Sequence, residues 1–116
     1  MLIGLVGCCA AGKSTMGKRL TQHGYAVRQI AQEHSYVKDM WLKITHPDVL
    51  IFLDVSYDNT ILRKQLNWTK NEYQIQLDRL AHARAHADLI VDTNDLSPDE
   101  VFEIILSHLH TLNYLE

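Results

Sequence analysis

Apolar and polar positions along the chain alternate between two periods. Leu2 to Val6 is an apolar run with no polar alternation, which predicts a strand buried on both faces. From Lys13 to His23 the apolar residues Met16 and Leu20 are spaced i, i+4, and Gly24 supplies a helix stop. Tyr25 to Ile30 predicts a second strand. Ser35 then predicts the cap of a helix to Thr45, with Val37, Met40, Trp41 and Ile44 along one stripe; Pro47 requires it to end first. Val49 to Val55 is the most strand-like segment, apolar until Asp54. A helix is expected from Ser56 to about Gln65. Thr69 and Glu72 form a capping box for a further helix carrying Tyr73, Leu77, Leu80 and Ala81 on one face. Asp88 to Asp92 predicts a fourth strand. Ser97 and Glu100 form a second capping box, with Pro98 at the first helical position, before a stripe of Val101, Ile104, Ile105, His108, Leu109 and Leu112.

Strands that alternate with helices and read as continuous apolar runs predict a parallel sheet covered by helices. The expected fold class is α/β: one three-layer domain over residues 1–116, with a small sheet of about four strands. The 116 residues are 47% apolar and 22% charged, with a formal charge of −3 and no basic run, so neither nucleic acid nor an acidic membrane is an expected partner. No apolar stretch reaches the roughly 18–20 residues of a membrane span. Leu5 to Cys8 has the look of a lipoprotein cleavage box. Only six residues separate Met1 from Cys8, however, and no positive segment precedes it; the apolar part of such a signal alone takes about 7–15 residues. The expectation is a cytoplasmic chain with reduced thiols and no zinc site.

Chemistry concentrates in one stretch. Gly7 to Ser14 matches G-x-x-x-x-G-K-[ST], between a buried strand and a helix, the context this pattern requires. Gly7 and Gly12 allow backbone conformations that turn successive N–H groups towards phosphate oxygens. Lys13 brings a mobile positive charge to the outer phosphates, and the Ser14 hydroxyl is a Mg²⁺ ligand. The helix that starts there points its positive end at the same anion. Cys8, Cys9, Ala10 and Ala11 fill the variable positions and Thr15 follows, so Gly7 to Thr15 forms the expected nucleotide-binding loop. The two cysteines read as small space-fillers. The alternative is that the helix end lowers a thiol pKa, so that oxidation blocks the phosphate site.

From this loop onward the chain resembles the P-loop small-molecule kinases, the group containing shikimate, thymidylate and dephospho-coenzyme A kinases. The resemblance rests on Gly7 to Thr15, on Pro47 to Gln65 and on Ala87 to Leu106, together a little under half of the chain. It implies ATP or GTP as the bound nucleotide, Mg²⁺, and phosphoryl transfer to an unidentified small-molecule acceptor. It also places Arg63 against the base, puts the Thr93–Asn94 turn at the base's border, and makes Arg79, with Arg84 beyond it, a candidate for charge neutralisation during transfer. The chain departs from the family between its first helix and Val49. An acceptor-binding segment and a strand ending in an acidic metal-binding residue normally stand there. Asp54 and Glu33 are therefore both candidates to complete a metal shell with Ser14. The shortening keeps a second reading open: a catalytically reduced nucleotide-binding module, regulatory or interacting, a homodimer that completes the site being one form of it. His82 and His86 are spaced i, i+4 and are weighed as metal ligands against an exposed helix face. His34 is expected in the acceptor cleft.

Overall fold

Two segments of uninterrupted apolar residues form the middle of the sheet. The computed structural model describes residues 1–64 and 67–115. Leu2–Gly7 (β1) pairs in parallel with Ala26–Gln29 (β2) on one side and with Val49–Asp54 (β3) on the other. Leu89–Asp92 (β4) extends the sheet beyond β3, giving the all-parallel order β2-β1-β3-β4. β1 and β3 are almost wholly buried, which is why their sequences carry no polar alternation. The edge strands β2 and β4 are shorter and more exposed.

Four helices flank the sheet: Lys13–Gln22 (α1), Tyr57–Lys64 (α2), Lys70–His86 (α3) and Pro98–Leu115 (α4). The chain leaves β1 towards β2 through α1 and leaves β3 towards β4 through α2 and α3. Right-handed crossovers in opposite directions put α1 and α3 on opposite faces. α4 joins α1: Arg19 donates to Asp99 at 2.6 Å and lies over the Phe102 ring. Between the helical layers and the sheet sits one core that includes Ile3, Leu5, Leu20, Phe52, Leu80, Ile105 and Leu109. The α/β class and the four-stranded parallel sheet thus agree with the sequence pattern.

Both capping boxes are present. Glu72 N–H donates to Thr69 Oγ1 at 3.1 Å and Thr69 N–H to Glu72 Oε1, and Ser97 and Glu100 exchange the same pair of bonds. The buried face of α3 is Gln76, Leu80 and Ala83, whereas Ala81, expected inside, faces solvent. The helix expected towards Gln65 is described to Lys64, and Gln65 lies outside the described residues.

The helix expected from Ser35 to Thr45 does not form. A 3₁₀ turn at Gln32–His34 and one wide π-turn at Trp41–Thr45 take its place. The buried Gln32 side chain explains why: its Nε2 donates to Val37 O at 2.8 Å and its Oε1 accepts from Trp41 N–H at 2.9 Å, replacing helical bonds. Ser35 closes a local turn onto Val37 instead of capping. Only Trp41 of the expected stripe is buried, and Ile44 is 69% exposed. No helix among the described residues is long and apolar enough to cross a membrane.

Candidate functional site

The connections from β1 and β3 run to opposite sides, so the crevice beyond their C-terminal ends is a topological switch point, where open α/β sheets hold ligands. The Gly7–Ser14 loop lies there. At Gly7 the backbone of β3 comes close: an added Cβ would lie 2.5 Å from Leu53 O. The chain then turns through Ala10 (φ 69°) and Gly12 (φ 101°) into α1, left-handed residues that curl the backbone into a concave loop. Gly12 gives α1 no side-chain cap and the first turn holds no acidic residue, so the helix presents its positive end without an internal counter-charge on its own first turn.

Gln76 of α3 braces this loop from behind. Cys9 N–H donates to Gln76 Oε1 at 3.1 Å, and Gln76 Nε2 donates to Cys9 Sγ at 3.3 Å. Cys8 is buried and its thiol donates to Cys9 O. Burial pushes the Cys8 thiol up to about 12, reinforced by Cys9, Asp54 and Glu33 and opposed by Lys13. Burial thus works against the reading in which the helix end activates the thiol, because it keeps Cys8 protonated at neutral pH.

The loop opens on a cleft of about 810 Å³, within the roughly 300–1,000 Å³ of small-molecule sites. Cys8 to Thr15 form its floor. One wall is Gln29 to Ala31 with Glu33 and His34, and the other is Arg63, Thr93, Leu96, Pro98 and Val101. On the first wall Lys13 Nζ forms an ion pair with Glu33 Oε2, the two side chains being 14% and 5% exposed. Glu33 Oε1 is buried and has no hydrogen-bond partner. His34 Nε2 stands 4.0 Å from Glu33 Oε2, and the Ser14 hydroxyl donates to Gln29 Oε1 at 3.3 Å. Gln32 also donates to Arg79 O, and Arg79 Nη1 donates to Glu33 O at 3.3 Å while its guanidinium stacks 4.5 Å above the Tyr36 ring. These bonds hold the short segment that carries Glu33 against α3.

On the second wall, Arg63 ties three elements together. It donates to Ala10 O at 3.2 Å, to Thr93 Oγ1 at 2.9 Å and to Thr93 O. Thr93 Oγ1 in turn donates to Asp54 O at 2.7 Å, joining the ends of β3 and β4. Leu96, Pro98 and Val101 give this end of the cleft an apolar side.

Of the residues expected at the site, Cys8 to Thr15, Arg63, Thr93 and Glu33 line the cleft, with Gly7 directly beneath as the turn. Asp54, Arg79 and Asn94 do not. Asp54 pairs with Arg84 at 3.1 Å, whose guanidinium lies over the Phe52 ring. Asn94 Oδ1 accepts from Ser56 N–H and Asn59 Nδ2, and its Nδ2 donates to Asp92. Arg79 acts on the Glu33 segment from outside. Of the two acidic candidates, only Glu33 faces the loop lysine. Just before α3, Trp68 is held down by hydrogen bonds: Tyr57 OH donates to Trp68 O at 2.7 Å, and Trp68 Nε1 to Thr60 Oγ1. Beside it Tyr73 OH donates to Val55 O, and burial raises the Tyr73 hydroxyl to about 12.

His82 and His86 stack at 4.3 Å, but Trp41 Nε1 donates to His82 Nδ1 at 3.0 Å. That bond puts the His82 proton on Nε2, where it occupies the position a metal would need. Among the described residues, no three His, Cys, Asp or Glu side chains cluster as a ready-made metal cage. Sequence reasoning missed Gln76 and the cleft residues Gln29, Leu96, Pro98 and Val101. Gln76 did leave a signal, a polar residue at helical spacing between Tyr73 and Leu80 on a face that had to be buried. No protein-family model matches this sequence, and a search of curated proteins finds no match to it.

Proposed function

We propose that the cleft binds a nucleoside triphosphate, ATP or GTP, and that the chain is a cytoplasmic small-molecule kinase of P-loop type acting on a small-molecule acceptor. The observation that carries this reading is the Gly7–Ser14 loop. Its left-handed Ala10 and Gly12, its uncapped helix end and Lys13 converge on one small-molecule-sized cleft. The loop amides and the end of α1 hold phosphate oxygens, and Lys13 neutralises charge on the outer phosphates. The apolar side made by Leu96, Pro98 and Val101, with Arg63, accepts the base. Ser14 and Glu33 suit a hard divalent cation: both are oxygen donors on the cleft, and Glu33 Oε1 is buried without a partner. When bound, Mg²⁺ supplies charge neutralisation across the phosphates. The chain's own contribution to transfer is positioning and electrostatics, the kind of work this reaction class mainly asks of a protein.

A second reading, a nucleotide-binding module without transfer activity, is favoured by two observations. β2 pairs directly with β1, and Arg79, the cation expected to serve the transferring group, is spent on Glu33 O and Tyr36. Incubating the protein with Mg-ATP or Mg-GTP and a pool of small metabolites separates the two. Acceptor-dependent release of nucleoside diphosphate supports the kinase, whereas binding without turnover supports the module.

A further inference from the structure

The ion pair between Lys13 and Glu33 presents the cleft with a conflict. A single ammonium group serves a buried carboxylate now and is required by phosphates later. Glu33 is held in place by its own backbone: Arg79 and the Gln32 network fix the segment, and Arg79 reaches its carbonyl, not its carboxylate. The carboxylate cannot follow Lys13 out, nor escape to water, being 5% exposed. Once Lys13 turns to a phosphate, the nearest remaining side-chain nitrogen is His34 Nε2 at 4.0 Å from Oε2, and Oε1 has no donor at all. A buried carboxylate stripped of its partner is strongly unfavourable.

We propose that Glu33 is an internal counter-ion that competes with the nucleotide's phosphates for Lys13, so that nucleotide binding is coupled to a divalent cation which takes over the Glu33 carboxylate. This inference rests on the nucleotide-binding reading of the cleft and assigns its regulation. The free site is self-neutralised. An anion arriving alone must break the pair and strand a charge, while an anion arriving with a divalent cation brings the Glu33 carboxylate a new partner. Cation and nucleotide therefore assist one another, and by linkage each raises the other's affinity by the same factor.

The test is calorimetric titration of the full chain with ATP and with GTP, in excess Mg²⁺ and in EDTA, for the wild type, Glu33→Gln and Glu33→Asp. The readout is affinity and needs no turnover. For the wild type, affinity in EDTA is expected to be at least about 30-fold weaker than in Mg²⁺, the order of effect of one stranded buried charge. Glu33→Gln frees Lys13 and is expected to tighten binding in EDTA by about tenfold or more, shrinking the Mg²⁺ dependence to within about threefold. Free nucleotide complexes Mg²⁺ equally in both titrations, so the difference between proteins isolates Glu33. Glu33→Asp draws the carboxylate back from Lys13 but keeps its charge. It is expected to tighten binding in EDTA by a smaller factor, and it carries the test if thermal melting finds Glu33→Gln unfolded. A Mg²⁺ dependence unchanged in both variants, or equal weakening in both buffers, overturns the competition while leaving nucleotide binding intact. Absence of binding for all three proteins in both buffers overturns the nucleotide reading itself, and the competition with it.

Discussion

Gly7 is where the loop leaves β1 and where the account is most exposed to a single methyl group. A Cβ there would sit 2.5 Å from Leu53 O and 3.1 Å from the Ala11 Cβ. Leu53 is the residue paired with Gly7 across the sheet, so the obstacle is ladder backbone that cannot rotate away. Ordinary contact begins at 3.4 Å, so Gly7→Ala must separate two central strands by most of an ångström. Overpacking of this kind costs about 1–3 kcal/mol, and backbone against backbone belongs at the upper end. At about 2.1 cal/mol/K per residue, a domain of this length loses about 4 °C of Tm per kcal/mol, so a fall on the order of 10 °C is expected. Gly17→Ala is the control. Its Cβ would meet Gln29 Nε2 at 2.7 Å and Cγ at 3.0 Å, but these belong to a flexible side chain that can give way at the expense of its Ser14 hydrogen bond. Alanine inside a helix also recovers about 0.5–1 kcal/mol over glycine, so stability should stay within about 1 kcal/mol of wild type. Thermal and urea unfolding followed by circular dichroism measure both. A Gly7→Ala protein as stable as wild type, or a Gly17→Ala protein less stable than Gly7→Ala, would refute the β1–β3 approach from which the loop is built.

Lys13→Ala should weaken Mg-ATP binding more than tenfold in a protein still folded by circular dichroism; unchanged affinity would remove the loop from the site. Replacing Cys8 and Cys9 together by serine should leave nucleotide affinity within about twofold by the same titration, and a large loss would restore a role for the thiols. Alkaline pH should expose the buried groups. Cys8 ordinarily titrates at 9.0 and is raised to about 12, and Tyr73 at 10.0, also raised to about 12. Above those ordinary values the unfolded chain releases protons that the folded chain keeps. Their contribution to stability is therefore complete below pH 9 and is lost as pH rises towards 12, at up to about 1.4 kcal/mol per pH unit for Cys8. The urea midpoint should fall across this window, and Cys8→Ala should flatten the first part, between pH 9 and 10. A wild-type slope in that variant would contradict the raised thiol.

Much of the fold was legible because the features that encode it are local. β1 and β3 are covered on both faces and had to be apolar throughout, and each capping box spends its own residues on its own backbone. The loop was legible for the same reason, since glycine spacing and a lysine at a helix start are local demands. What failed depends on partners distant in sequence. The Ser35–Thr45 stripe looked helical until Gln32 supplied its side chain in place of backbone bonds, a choice visible only once that side chain is buried. Asp54 and Glu33 could not be ranked from spacing. Arg84, 30 residues beyond Asp54, captures the first, while packing of the Gln32 turn against α3 delivers the second to Lys13. Arg79 was expected at the reacting phosphate because of its place in the chain. Its guanidinium instead holds the Glu33 segment, a partner 46 residues away in the chain.

Calorimetric titration of the purified chain with Mg-ATP and Mg-GTP, followed by incubation of the preferred nucleotide with a metabolite pool while nucleoside diphosphate is monitored, asks whether the Gly7–Ser14 cleft is a nucleotide site. Saturable one-to-one binding of at least one nucleotide is expected, weakened more than tenfold in Lys13→Ala, with diphosphate appearing when an acceptor is present. Absence of binding to either nucleotide by a folded protein would contradict the nucleotide reading.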